Sequence, residues 1–350
     1  MNYNKYIKII TLVCVILAIS ILSACASFPT PTHPSVETTD PASQSPIIRV
    51  GSLKGPTSMG LLFLMQEAQK GEANGSYEFK TAVQADELLP LMAKGELDIA
   101  LLPANVAAIL YQKMEGQLTV IDINTLGVLY IVTGNSSITS MGDLKGRTIY
   151  LTGKGTTPDY VLRYLLAGNG LTENDCKLEY RSEATEVAAL LSQNPEAVGL
   201  LPQPFVSVAC AQNEALSVVL DMNAEWTKLQ GEEGTRMVTG VTVVRKAFLE
   251  AHEEAVTMFM NAHQESIKKM NSDLETGARL AAEAGIIAKE PIARKAIPAC
   301  NITYIDGETM KQALSGYLSV LYDQNPVAVG GELPTEEFYL IVLAGPVADC

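Results

Sequence analysis

The sequence predicts an α/β protein built on parallel sheets. Three observations lead there. Short apolar runs alternate with segments of helical spacing. Glycines stand where those helical segments should stop. Four strand-to-helix junctions share one small, hydroxyl- or amide-bearing composition. A repeated β-α-β rhythm of this kind places helices on the faces of parallel strands.

Residues 47–52 read as a buried strand, followed by a helix that opens at Gly55-Pro56. Leu61, Leu64, Met65 and Ala68 recur at helical spacing within it, and Gly71 closes it. A strand over 77–83 comes next, then a helix that Asp86 can cap, running to Lys94 with Gly95 as its stop. Further strands are expected over 97–102, 128–133, 148–151, 178–180 and 197–201, with helices over 104–114, 158–167 and 183–192 between them. From Arg245 onward the chain reads as mainly helical, over 247–269, 276–284 and 307–323. No fixed-period repeat is present.

The four junctions lie at 52–60, 101–105, 153–160 and 199–205. In open α/β sheets ligands bind at the carboxyl ends of strands, where helices begin and offer unpaired N–H groups and a positive dipole end. At the first junction no acidic side chain follows Pro56, so the N–H groups of Thr57, Ser58 and Met59 are left for solvent or a guest. At the third, Thr157-Pro158 makes a good helix start and Asp159 already complements the dipole, so capping alone explains it equally well. At the fourth, Pro202 and Pro204 could simply stiffen a loop. The candidate ligand-binding residues are Lys54, Thr57, Ser58, Met59, Asn105, Thr133, Thr156, Thr157, Gln203 and Phe205. Their hydroxyls, amides and helix starts suit a carboxylate, sulfonate or other oxyanion. Tyr130, Tyr160 and Phe205 either face a flat ring or belong to the core, the usual place for aromatics.

Catalytic patterns fail in detail. A hydrolase elbow needs glycine two residues before its serine, and Pro56 stands there before Ser58. Gly153-Lys154-Gly155 begins like a dinucleotide loop, but Pro158 occupies the third glycine position. Of three histidines, His33 is near the amino terminus, and His252 and His263 are expected on one helix face about three turns apart, as solvated surface residues. No catalytic residue, metal ligand or cofactor is assigned.

The amino terminus has its own logic. Lys5 and Lys8 precede an apolar stretch over 9–22, and Ser23 and Ala24 precede Cys25. That is the layout of an export signal, shorter than the ~20 apolar residues of a membrane span. Residues 26–46 are rich in Pro, Ser and Thr and read as an extended tether. Cleavage after residue 24 leaves about 326 residues, enough for two domains. Net charge is −14 for the whole chain, and loss of two lysines with the signal brings the mature part near −16. A surface this acidic argues against nucleic acid, which needs basic stripes. Besides Cys14 and Cys25, Cys176, Cys210, Cys300 and Cys350 are widely spaced; they fit no zinc motif, and both disulfides and buried thiols stay open.

Two resemblances add to this reading. Leu22-Ser23-Ala24-Cys25 resembles the bacterial lipobox, which implies cleavage before Cys25, diacylglycerol on its sulfur and residence on the outer face of a membrane. The body, over about 47–342, resembles the substrate-binding proteins of ABC importers, in the branch that includes nitrate-, sulfonate-, taurine- and thiamin-precursor-binding proteins. The resemblance is carried by Lys94-Gly95-Glu96-Leu97-Asp98-Ile99-Ala100, by Asp143-Leu144-Lys145-Gly146-Arg147-Thr148-Ile149, and by the segment 239–252 that opens Thr239-Gly240-Val241. It implies a two-lobed, type II periplasmic-binding-protein-like fold hinged on two crossing strands, near Gly127-Val128-Leu129 and Met237-Val238-Thr239-Gly240. Lobe one would be 47–127 plus 241–350 and lobe two 128–240. A small-molecule ligand would sit in the cleft of a monomer and be delivered to a membrane permease, with the lipid anchor raising the effective concentration. A thiamin-precursor-synthase-like or chorismate-dehydratase-like enzyme on a similar fold, and an anchored ligand sensor, are the alternatives.

Overall fold

The computed structural model describes residues 46–341 except 173 and 232–234. The expected signal, Cys25, the expected tether up to 45 and Cys350 lie outside the described residues.

Two sheets organise the body. The first has the order β11-β4-β10-β3-β1-β2. Its strands are β1 (Ile47–Leu53), β2 (Ser76–Ala82), β3 (Ile99–Pro103), β4 (Leu118–Leu126), β10 (Val238–Arg245) and β11 (Ile302–Ile305). The second has the order β7-β6-β8-β5-β9. It is built from β5 (Leu129–Thr133), β6 (Thr148–Thr152), β7 (Lys177–Arg181), β8 (Val198–Pro202) and β9 (Ser217–Asp221).

The sheets are mixed rather than purely parallel. β1 runs parallel to β2 and β3, and β6 runs parallel to β7 and β8. β10 is antiparallel to β3 and β4, and β5 is antiparallel to β8 and β9. β5 and β10 are each the first strand made after the chain changes sheets; the edge strand β11 also runs antiparallel to β4. β4 ends at Leu126 on the edge where β1 and β3 also end, and two residues later β5 begins in the other sheet. A strand that starts at that shared edge can only run away from it, against its neighbours. The return obeys the same rule. β10 is already paired at Val238, opposite Leu126, so the return to the first sheet is complete before the expected 237–240 crossing ends.

The helices that shape the site are α1 (Pro56–Met59), α2 (Leu62–Lys70), α3 (Leu89–Lys94), α4 (Ala104–Lys113), α5 (Thr157–Gly168), α6 (Ala184–Gln193), α7 (Phe205–Gln212) and α8 (Met222–Gln230). They are followed by α9 (Lys246–Ala251), α10 (Glu253–Ser272), α11 (Leu274–Glu283), α12 (Glu290–Ala296) and α13 (Gly307–Gln324). The single helix expected after Gly55 is broken at Gly60-Leu61 into α1 and α2. A side chain at Gly60 would come within 2.7 Å of Ile267 on α10, so the tight packing of α10 there demands glycine, a poor residue for a helix interior. The expected helix over 247–269 is likewise interrupted, at His252.

Strand alternation divides the core. Ile99 and Leu101 pack on one face of β3, with Leu61 from the break before α2, Leu64 from α2, and Val256 and Phe259 from α10. Ala100 and Leu102 face the other side, in a cluster that continues through Tyr317 of α13 to Trp226, Leu165 and Ile149 of the second sheet's layer. The carboxyl-terminal helices therefore bridge both sheets: Tyr130 Oη donates to Ala299 O (2.7 Å), and Gln324 Nε2 donates to Tyr160 O (3.0 Å). Cys176, Cys210 and Cys300 are free, and burial pushes the Cys300 thiol up to about 12.

Candidate functional site

Strand register places the four junctions together. β1, β3 and β4 end on the edge from which the chain crosses, and β6, β8 and β9 end on the corresponding edge of the second sheet, with Leu129 opposite Pro202 and Tyr130 opposite Asp221. Residues 54–59 and 103–105 therefore line one edge, and 153–157 and 202–205 line the other. Thr133 is the exception. It ends β5, the reversed strand, and so lies at the far edge, opposite Ser217, with its hydroxyl donating to Pro195 O (3.3 Å). The pocket position expected for Thr133 is not met: because β5 runs against β8 and β9, its carboxyl end lies at the edge opposite the junctions.

The junctions differ in what they leave open. At the first, Thr57, Ser58 and Met59 are buried and Lys54 is exposed. Ser58 Oγ donates to Gly55 O (3.1 Å), no acidic residue lies in the first turn, and no side chain caps it. The helix itself is a single turn of four residues, so the dipole expected of it is small. What remains is a hydroxyl, that of Thr57, with no partner among the described residues. α4 is longer, ten residues, and opens after Pro103 with neither an acid nor a side-chain cap. Asn105, half-buried, stands in its first turn. α7 also opens without an acid. There Gln203 is buried and its Oε1 accepts from the Ser207 hydroxyl (2.9 Å), while Phe205 packs half-buried on the second sheet's core. The Gln203–Pro204 bond is cis.

The third junction is self-satisfied. Asp159 Oδ2 accepts from Gly155 N (2.8 Å), and Thr156 Oγ1 donates to Gly153 O (2.6 Å). Thr157 faces the buried Tyr317 phenol, which burial pushes up and Thr157 partly draws back. Asp159, 3% exposed, also binds Arg163 Nε (2.6 Å) and Tyr180 Oη (2.8 Å). The Thr156 side chain does not cap α5; its hydroxyl and the Asp159 carboxylate are instead taken up within the junction itself.

Sequence reasoning missed the floor of the first edge. Asn124, Thr125 and Thr242 are fully buried there and joined in a chain: Thr125 Oγ1 donates to Asn124 Oδ1 (2.9 Å), Asn124 Nδ2 to Thr242 Oγ1 (3.1 Å), and Thr242 Oγ1 to Asp122 Oδ1 (2.7 Å). His263 Nδ1 meets the other Asp122 oxygen at 3.2 Å. His263 is wholly buried, not solvated, and its Nε2 has no partner among the described residues. The signal was present in its spacing: His263 continues the apolar stripe of Val256, Phe259, Met260, Ile267 and Met270 on α10. Gly240 lets this floor meet the first junction, because a Cβ there would lie 2.4 Å from Thr57 Cγ2 and 2.5 Å from Asn124 Oδ1.

Two aromatic candidates are structural. Tyr130 is buried beside the crossing, where burial, then the charges of Asp221 and Cys300, push its phenol up. Tyr160 is buried with its hydroxyl bound by Asn325 Nδ2 (2.7 Å). Across the cleft edge, Asp221 accepts from Asn223 N and Ala224 N, yet burial holds its carboxyl above the ordinary range.

Residues 71–287 match a family described as ABC transporter, phosphonate, periplasmic substrate-binding protein. Among solved structures, an ABC transporter protein from Parabacteroides distasonis shares 26% identity, with TM-score 0.71 over 85% of this chain and 99% of its own. The periplasmic aliphatic sulphonate binding protein SsuA from Escherichia coli superposes with TM-score 0.64 at 18% identity, over 81% of this chain and 94% of its own. A periplasmic sulfonate-binding protein from Methylobacillus flagellatus gives 0.61 at 17%, over 81% and 88%. No curated protein sequence matches the chain.

Proposed function

The chain belongs to the family of phosphonate-type periplasmic substrate-binding proteins of ABC transporters, and from that membership we propose that it captures a small oxyanionic solute, a phosphonate or sulfonate, between the facing edges of its two sheets. The chain is the substrate-binding component of an ABC importer, with a two-lobed type II fold, and it serves a permease. The solute and its contacts are our reading. One observation carries it: strand register brings four strand-to-helix junctions to facing edges; α4 opens there with neither an acidic nor a capping side chain, and α7 opens without an acid, its first turn meeting only Gln203 Oε1, 3.4 Å from Ser207 N. The N–H groups of those two helix starts, the Thr57 hydroxyl, Asn105 and the Gln203 amide would bind the anionic head. Lys54 sits at the rim, and Ser58, Met59 and Phe205 shape the walls. The lobes then follow the sheets: lobe one takes β1 to β4 and the chain from β10 onward, and lobe two takes β5 to β9, so the return falls before Val238 and not at 240.

The protein holds its solute without converting it, as a monomer. Its tether, residues 26–46, ends where β1 begins, at the sheet edge remote from the junctions, and is anchored by lipid on Cys25. Mass spectrometry of the mature amino terminus tests the anchor: an unmodified Cys25, or a start elsewhere, removes it.

Calorimetric titration with methylphosphonate, ethanesulfonate and ethylammonium tests the solute class. The oxyanions should bind and the amine should not. At a hundredfold excess over Kd a bound ligand adds ~2.7 kcal/mol to stability, easily seen as a thermal shift. Binding of ethylammonium alone would overturn the oxyanion assignment.

A further inference from the structure

A cavity runs from the third junction along the flank of α5. Its volume is about 780 Å³, within the ~300–1,000 Å³ typical of small-molecule sites. It runs from Lys154 and Gly155, at the rim of the third junction, past Arg163 to Ala167 and Leu171, with Gln324 and Asn325 at the end of α13 on its other side. From Thr157 to Ala167 the helix alone spans about 15 Å at 1.5 Å per residue.

The two ends differ chemically. Leu166, Ala167, Leu171 and Leu178 make the part beside the carboxyl-terminal half of α5 apolar. The charges stand at the other end, beside the start of the helix. The Asp159 carboxylate is met by Arg163, whose Nη2 also reaches Tyr180 Oη (3.1 Å). Lys154 has no carboxylate within ion-pair distance among the described residues, and its ammonium stands 5.6 Å from the centre of the Tyr180 ring. The cavity thus presents an apolar body under one uncompensated cation, in a protein of net charge −14. A lone cation of this kind on an acidic surface favours an anionic head by charge complementarity and disfavours an amine.

We propose that this cavity is a second binding site, for an amphipathic anion whose sulfonate- or carboxylate-type head lies at Lys154 and whose alkyl chain lies along α5. The site is distinct from the cleft and does not depend on what the cleft binds. An occupant would touch both the loop that forms the cleft rim and the end of α13, whose Gln324 and Asn325 hold Tyr160. It is therefore placed to bias how the second lobe sits against the carboxyl-terminal helices.

Octanesulfonate and octylammonium, with equal tails and opposite heads, are the probes. The purified full chain is titrated with each by calorimetry, with methylphosphonate present at a concentration that saturates the cleft, or absent if it does not bind. Octanesulfonate should bind saturably, about tenfold or more tighter than octylammonium. Ala167→Trp fills the cavity from an exposed helix position, and Lys154→Glu reverses the head charge at an exposed one. Each should weaken octanesulfonate by about tenfold or more. Equal affinity for the two heads, no saturable binding, or wild-type affinity in either variant overturns the proposal. Failure of methylphosphonate to bind bears only on the cleft reading.

Discussion

The first and third junctions look alike in sequence and differ in the folded chain. Both place a proline in the first turn of a helix beside hydroxyl residues, Thr57 and Ser58 in one, Thr156 and Thr157 in the other. At the third junction Asp159 turns its carboxylate back to the loop, and the Thr156 hydroxyl donates to Gly153 O. At the first, no acid follows, and the Thr57 side chain rests on the buried Asn124–Thr242–Asp122–His263 chain across the gap left by Gly240. The acid two residues into the helix marks the difference: Asp159 places negative charge in the first turn of α5 and ties the loop, Arg163 and Tyr180 to it, whereas α1 has no acid in its first turn.

This contrast can be broken at several points. The largest effect should come from Asp122→Ala, which strands the Thr242 hydroxyl and His263 Nδ1 in full burial at about 1–3 kcal/mol each. Urea unfolding should show that loss, whereas Asp159→Ala, whose partner Arg163 is partly exposed, should lose less. A loss at Asp159 equal to that at Asp122 would mean the two edges are built alike. Next is Gly240→Val: the added side chain overlaps Thr57 and Asn124 and should cost about 1–3 kcal/mol by overpacking, with oxyanion binding weakened in the same protein. Thr57→Ala with Ser58→Ala should weaken oxyanion binding about tenfold with the fold kept, while Thr156→Ala leaves affinity unchanged; a calorimetric result in the reverse order would move the site to the third junction.

The smallest effects concern pH. Burial pushes the Asp98 carboxyl up, but Arg49 and Arg245 overcome this and hold it below the usual range. Its stabilising contribution is present above the unfolded value of about 3.9 and fades as pH falls through the lower folded value. Asp98→Asn should therefore flatten the acid limb of the stability curve below about pH 4. Asp221, at the cleft edge, is shifted the other way by burial, so it favours the fold at acid pH and loses that contribution as pH rises through its raised value. Asp221→Asn keeps a side-chain oxygen for the cap and should raise the melting temperature at neutral pH; a lower one would mean that the charge is needed there.

Much of the first half of each sheet was legible. β1, β3, β6 and β8 are short apolar runs, each followed by a glycine- or proline-marked helix start, and such signals are local. β4, β9 and β11 escaped notice. β4 carries Asp122, Asn124 and Thr125 among its apolar residues, and only their pairing with each other and with Thr242 makes that polarity tolerable in the core. His263 was misplaced for the same reason. Its stripe on α10 pointed inward, but a lone histidine reads as polar until Asp122 is known to wait for it.

The sequence by itself determined the α/β class, the four junctions and the acidic character, because these follow from residue periodicity, turn chemistry and charge along the chain. The tertiary structure decided which junctions stay open, that Thr133 faces away, and that Asn124 and Thr242 form the floor. Those outcomes depend on strand direction after each crossing and on partners more than a hundred residues apart, as Asn124 and Thr242 are, and no local pattern records them.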